Sequence, residues 1–245
     1  SHEVSVLGRS ISKLNKVFPG KTPYSWESLS MIDIKRQDAV INLAGDNIGD
    51  SRWTRLKKDI IIRSRVDTTK AIVDMCLGCG DEAPRILNAS AIGVYPSSTS
   101  VDDKVDERSI VASEQENFLS RVASAWENTL KPAESMGLSV AKLRFAVVLN
   151  KDSGALAKML LSYRLGLGAV LGEGQQAFSW VSLEDAVRAI VYLADNPQLT
   201  GPFNIVADEV VSQEYFANSL AAYLNRPRFM TLPSFVVKML FAQMG

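Results

Sequence analysis

Side chains suited to chemistry are sparse in this chain, and three groupings of them carry information. Cys76 and Cys79 form a CxxC, CLGC. It ends a helical pattern and is followed by Gly80, whereas redox CxxC pairs usually open a helix. The chain's single histidine, His2, is the only nitrogen donor of its kind, so a zinc site lacks ligands and a structural role is expected for the pair. The second grouping is the small-residue crest Ala44-Gly45, where a ligand can lie against the backbone. The third is the polar crest Ser90-Ala91-Ile92-Gly93-Val94-Tyr95, with a hydroxyl and a phenol five residues apart.

The elements that must hold these crests are legible. Ala39, Val40, Ile41 and Leu43 form a short apolar run that predicts a fully buried strand of a parallel sheet. A second run, Arg85 to Ala89, follows Pro84 and leads into Ser90. In doubly wound α/β proteins, ligands bind just beyond the carboxyl ends of such strands. The alternative for the first crest is a connecting loop with a routine Gly turn. Glu3–Leu7 predicts another strand, ending in Gly8-Arg9-Ser10, then a short polar helix, a turn at Pro19-Gly20 and a possible strand at Tyr24-Ser25-Trp26. Apolar residues from Trp53 to Cys76 recur at helical spacing over 52–77. A second helix is expected over 114–136, interrupted near Pro132, and a strand over 138–149. Further helices are expected at 154–165, 183–195, 212–225 and 234–241, with a strand at 201–207. Alternating strands and helices of this kind argue for βαβ units and a Rossmann-like doubly wound parallel sheet. The expected division is residues 1–150 as the sheet domain and 151–245 as a smaller lobe, with 183–207 packing back on the sheet.

Composition narrows the function classes. The 245 residues suffice for a large α/β domain, and 47% are apolar. Lys and Arg number 27, as do Asp and Glu, so neither nucleic acid nor a membrane surface is an expected partner. No apolar run reaches the ~20 residues that span a bilayer, and no signal-peptide pattern opens the chain. The expected compartment is the cytoplasm. Ser1 stands where an initiator Met would, compatible with a processed, tagged or incomplete product.

The segments EVSVLGR, INLAG, RW…SRVDTT, NASAIGVY, AWENT, LRFAVVL and RLGLG…LGEGQQAFSW, in this order, resemble the extended short-chain dehydrogenase/reductase superfamily. Within it they resemble the atypical NAD-dependent epimerase/dehydratase branch, the cell-division-inhibitor-like epimerases. The resemblance runs from Glu3 to about Pro233, and it implies that residues 1–150 are a Rossmann-like dinucleotide-binding domain, N-terminally incomplete, and that 151–245 are a substrate-binding lobe. It implies that Leu43, Ala44 and Gly45 pack against the adenosine side of a dinucleotide and that Ser90 hydrogen-bonds the substrate oxygen. Arg9 falls where an acidic residue binds the ribose of NAD, and an Arg there pairs with the 2′-phosphate of NADP. A solvated strand-end charge is the plainer alternative for Arg9. Gln175, Gln176 and Trp180 are implied substrate-pocket residues, or else local core of the lobe. The implied activity is that of an NADP-linked oxidoreductase or epimerase acting on a small polar substrate, such as a nucleotide sugar, with a homodimer as the expected assembly.

Departures from the pattern are equally specific. The Gly-rich GxxGxxG turn that cradles a pyrophosphate is absent. The YxxxK pair is missing too: Phe118 with Val122, or Leu119 with Ala123, fills its place, and neither transfers a proton. Arg121 stays protonated and is no base. Ser182 stands where the branch commonly has His. Tyr95 is then the nearest titratable group, either as acid or base or as a packing tyrosine with its hydroxyl bonded. Loss of the YxxxK pair keeps open a second function, an NADP(H)-binding sensor without turnover, and a third, an interaction module that kept only the fold. EVSVL corresponds to the second strand and AVINL to the fourth of a 3-2-1-4-5-6 sheet. About 20–30 further N-terminal residues, a strand, turn and helix, are therefore expected in the natural product. The alternative is direct pairing of EVSVL with AVINL.

Overall fold

The computed structural model describes residues 2–96, 102, 105–113, 117–166, 168–171, 173–226 and 230–232. The first unit is β1 (Ser5–Gly8), α1 (Ile11–Val17) and β2 (Thr22–Ser25), with β1 and β2 paired in parallel. Ser10 caps α1, and Gly20 turns the chain at φ 78°. Then come β3 (Ala39–Asn42), α2 (Arg55–Leu77), β4 (Arg85–Ala91), α3 (Phe118–Asn128), α4 (Lys131–Ser135) and β5 (Val140–Phe145). Next are β6 (Val147–Leu149), α5 (Gly154–Arg164), β7 (Ala169–Leu171), β8 (Ala177–Phe178), β9 (Trp180–Ser182) and α6 (Leu183–Asp195). The last described elements are β10 (Gly201–Ile205), β11 (Val211–Ser212), α7 (Gln213–Tyr223) and β12 (Met230–Leu232). The helix expected at 234–241 lies outside the described residues.

The central sheet has the order β10-β5-β4-β3, all parallel. Its two faces are covered separately. Val40, Ile86 and Val140 pack with Ile72, Val73, Cys76, Leu130 and Ala133 of the α2 and α4 side. Leu87, Ala141 and Leu143 pack with Ala186, Leu193 and Ile205, and Ala39 joins that side with α6. Successive strand residues thus feed opposite layers, as the two-residue period requires. The architecture is the Rossmann-like, doubly wound α/β fold.

Two expectations from the sequence need correction. β3 is not fully buried: Ile41 is 44% and Leu43 58% exposed, because the strand pairs with β4 alone among the described residues. The run over 138–149 is two strands rather than one. Ala146 still bonds Ile205 of β10, but Val147 turns to Ser179, and β6 pairs in parallel with β9. The helix over 114–136 breaks where it was expected to, near Pro132. Pro132 sits in the first turn of α4, where its missing N–H costs nothing, and α3 ends at Asn128. Direct pairing of EVSVL with AVINL does not occur: β1 bonds β2, and β3 belongs to the other sheet.

Candidate functional site

Two strands present the site. Asn42 of β3 pairs with Asn88 of β4 in parallel register, so Leu43–Gly45 leave the sheet beside Ala89 and Ser90, which continue β4 and pair with β5. Beneath them lies a buried amide cluster. Asn42 Nδ2 donates to Asn88 Oδ1 at 2.6 Å and to Thr69 Oγ1 at 2.9 Å, and Trp126 Nε1 donates to the same threonine at 2.9 Å. Asn42 Oδ1 in turn accepts from the Ala44 amide at 3.1 Å. One asparagine therefore fixes both the strand pair and the start of the β3 crest. Helices α2 and α3 are tied to it through Thr69 and Trp126.

The Ala44-Gly45 crest is small for a reason the sequence did not show. A Cβ on Gly45 would stand 2.9 Å from Cζ of Arg65, whose guanidinium also lies 4.9 Å from the Trp126 ring. Arg65 donates through Nη1 to the carbonyls of Asp46 and Ile61 at 3.1 and 3.0 Å, while its buried Nε has no hydrogen-bond partner among the described residues. Burial pushes the Arg65 pKa below its ordinary value, opposed by the charge of Asp46. Asp46 itself pairs with Lys57, and its amide donates to Ser64.

Ser90 and Tyr95 are brought together by residues that sequence reasoning passed over. Ser90 Oγ donates to Glu127 Oε1 at 2.7 Å. Arg144 of β5 grips the same carboxylate with Nε and Nη2, each at 2.8 Å, and donates through Nη1 to the Tyr95 hydroxyl at 2.8 Å. Tyr95 passes its own proton to Asn204 Oδ1 at 2.8 Å, and the Asn204 amide donates to Glu107 at 2.7 Å. Ser90, Tyr95, Glu127 and Arg144 are 3, 6, 8 and 4% exposed. Burial works against the Arg144 charge, but its bonds to Glu127 and Tyr95 outweigh that, and its pKa lies above the ordinary arginine value. Arg144 did leave a signal, as a lone charge in the otherwise apolar stretch LRFAVVL, and Glu127 is the one charge of AWENT.

The other sequence candidates lie elsewhere. Arg9 is exposed at the end of β1, with no partner among the described residues. Trp180 begins β9, and its carbonyl accepts from Ala207 at 2.7 Å. Gln175 Nε2 donates to Glu214 at 3.1 Å, and the Gln176 carbonyl accepts from the Gln213 amide at 3.0 Å, so both glutamines tie the turn before β8 to α7. Ser182 caps α6, accepting from the Asp185 amide at 3.0 Å. On α3, Ala123 packs with Val94 and Tyr95, while Leu119 is 41% exposed. Cys76 and Cys79 are free, buried thiols, and burial pushes Cys76 up to about 12. No group of three or more potential metal ligands occurs among the described residues. No described helix is long and apolar enough to cross a membrane.

Parallel strands whose carboxyl ends carry the polar residues define a protein of the Rossmann-like α/β class. Residues 25–206 match the model of the NAD dependent epimerase/dehydratase family, and the chain belongs to that family. An epimerase family protein of Staphylococcus haemolyticus is 37% identical over 211 residues, covering 85% of this chain and 68% of the relative. One of Mycobacterium bovis is 35% identical over 206 residues, covering 84% and 66%. The chain thus spans about two thirds of the length of these relatives. Human epimerase family protein SDR39U1 (isoform 2), whose crystal structure is with NADPH, superposes with a TM-score of 0.85 at 29% identity. That match covers 99% of this chain and 79% of the human one. A nucleoside-diphosphate sugar epimerase from Corynebacterium glutamicum superposes with a TM-score of 0.64 at 25% identity, over 85% and 43% of the two chains.

Proposed function

We propose that the protein is an NADP-dependent oxidoreductase or epimerase acting on a hydroxyl-bearing substrate of the nucleotide-sugar kind. The observation that carries this reading is the convergence of Ser90 and the Leu43–Gly45 crest at the carboxyl ends of two adjacent parallel strands. A nicotinamide, when bound, supplies the hydride chemistry, and the protein supplies position and proton handling. The residues present fit the adenosine half of such a cofactor. Leu43 and Gly45 are exposed at the crest, and Arg9 is an exposed guanidinium with no partner among the described residues, suited to a 2′-phosphate. In this reading Ser90 meets the reacting oxygen, and Tyr95 is the nearest phenol, held by Arg144. Gln175, Gln176 and Trp180 belong to the substrate lobe.

Turnover of NADPH with a panel of nucleotide sugars and their keto forms tests the reading. Ser90→Ala is expected to lower the rate at least about tenfold, the worth of about one hydrogen bond made in the transition state. A rate unchanged by both Ser90→Ala and Tyr95→Phe would contradict it. A second reading, a cofactor-binding sensor without turnover, is favoured by one observation: Leu119 and Ala123 line the α3 stripe beside the crest, and neither moves a proton.

A further inference from the structure

The CLGC pair takes no part in the crest, yet the fold places its two thiols on one turn. Cys76 lies in the last turn of α2. Gly78 (φ −66°, ψ −11°) and Cys79 (φ −90°, ψ −13°) continue that turn beyond the helix. The Cys79 amide donates to the Cys76 carbonyl at 3.0 Å, so the turn between them is closed. Side chains three residues apart on such a turn share a face, with Cβ atoms about 5–6 Å apart. A disulfide needs about 3.5–4.5 Å, which leaves the pair one small rearrangement short of a bond. Glycines flank Cys79 on both sides, and a Cβ on Gly80 would meet nothing within 4 Å, so the chain has room to absorb that approach.

The two sulfurs differ in access. Cys76 is 0% exposed, inside the cluster formed with Ile72, Val73, Ile86 and Val140, and burial pushes its thiol up to about 12. Cys79 keeps 7% exposure, and its Sγ donates to the Met75 carbonyl at 3.4 Å. It also lies within electrostatic reach of the exposed Lys35 ammonium. A cation there favours negative charge developing on that sulfur as it reacts.

We propose that Cys76 and Cys79 form a reversible redox pair, in which hydrogen peroxide oxidises Cys79 and Cys76 closes the bond. In the first step the Cys79 sulfur attacks a peroxide oxygen, the O–O bond breaks, and water leaves a sulfenic acid on Cys79. In the second the Cys76 sulfur attacks that of Cys79, the S–O bond breaks, and hydroxide leaves with the Cys76 proton as water. The two thiols lose two electrons, and the peroxide becomes two waters. Closing the bond draws Cys79 off the Met75 carbonyl and tightens the end of α2. A bond formed under such strain is readily reduced, which suits this position to a switch rather than a permanent staple.

The test exposes the native, reduced protein to hydrogen peroxide, removes the oxidant, and then unfolds the chain in excess N-ethylmaleimide. These are the chain's only two cysteines, so the readout is unambiguous. Intact mass and peptide mapping are expected to show loss of both alkylatable thiols, a chain lighter by two hydrogens, and a bond within one molecule. Reduced glutathione should restore both thiols. In Cys76→Ala the same treatment should stop at a sulfenic acid on Cys79, trapped by dimedone. In Cys79→Ala the buried Cys76 should remain a thiol. Should Cys76→Ala fail to fold, the parent and Cys79→Ala decide. Two alkylatable thiols in the parent after peroxide, bonds only between molecules, or oxidation of Cys76 in Cys79→Ala as fast as in the parent would each overturn the proposal. A bond that glutathione leaves intact would overturn its reversibility.

Discussion

Arg144 holds Glu127 through two nitrogens, each 2.8 Å from its own carboxylate oxygen, with both side chains nearly withdrawn from water. The pair joins β5 to α3 and, through Ser90 and Tyr95, ties the β4 crest to both. Removing one partner strands the other charge in a desolvated site, a loss of about 3–5 kcal/mol. Arg144→Ala should lower stability by that amount in urea unfolding, and Glu127→Met/Arg144→Met should cost far less than the two single losses added. A single-variant cost within experimental error of zero would show the pair to be solvated.

Asn88 is the hub of the amide cluster under the crest. Replacing it with Ala removes the acceptor for Asn42 Nδ2 and Thr69 Oγ1 and leaves buried polar groups short of partners. The expected loss is about 1–3 kcal/mol, read by urea unfolding, with a change in Trp126 fluorescence because its indole N–H bonds Thr69. Unaltered stability would mean that the cluster repairs itself, for instance with water.

Cys76 offers a pH-dependent signature. Burial raises its folded-state pKa from 9.0 to about 12, so the folded protein holds the thiol proton more tightly than the unfolded chain. The contribution to stability is complete below the unfolded pKa and is lost as pH rises through the folded one. Stability should therefore fall between about pH 9 and 12 more steeply in the parent than in Cys76→Ala. Alkylation of Cys76 by iodoacetamide near neutral pH should require unfolding. Rapid labelling of the native protein would contradict the burial argument.

How much of this was legible in the residues differs from element to element. The strand AVIN, the helix over 55–77 and the strand leading to Ser90 were readable because hydrophobic period is a local property. The division of LRFAVVL was not, because the cue is a long-range exchange of partners, from Ile205 to Ser179, with no local punctuation. The exposure of β3 depends on which strands lie beside it, which no window of sequence reports. At the site, Ser90 and Tyr95 were visible as polar residues on a crest. Their governors, Glu127 and Arg144, lie 37 and 49 positions away from a bonded partner and become a pair only in the folded sheet. Gly45 was noticed as small enough for a ligand to approach, but the neighbour on the side that a Cβ would fill, Arg65, is distant in sequence and was not visible there.

The central claim, that the crest serves an NADP-type cofactor, is tested most directly by calorimetric titration of NADPH and NADH into the protein. The account predicts tighter binding of NADPH by about ten- to a hundredfold, the worth of one charge-assisted bond to the 2′-phosphate. Arg9→Ala should remove most of that preference. Equal affinities for the two nucleotides, or no binding of either, would contradict it.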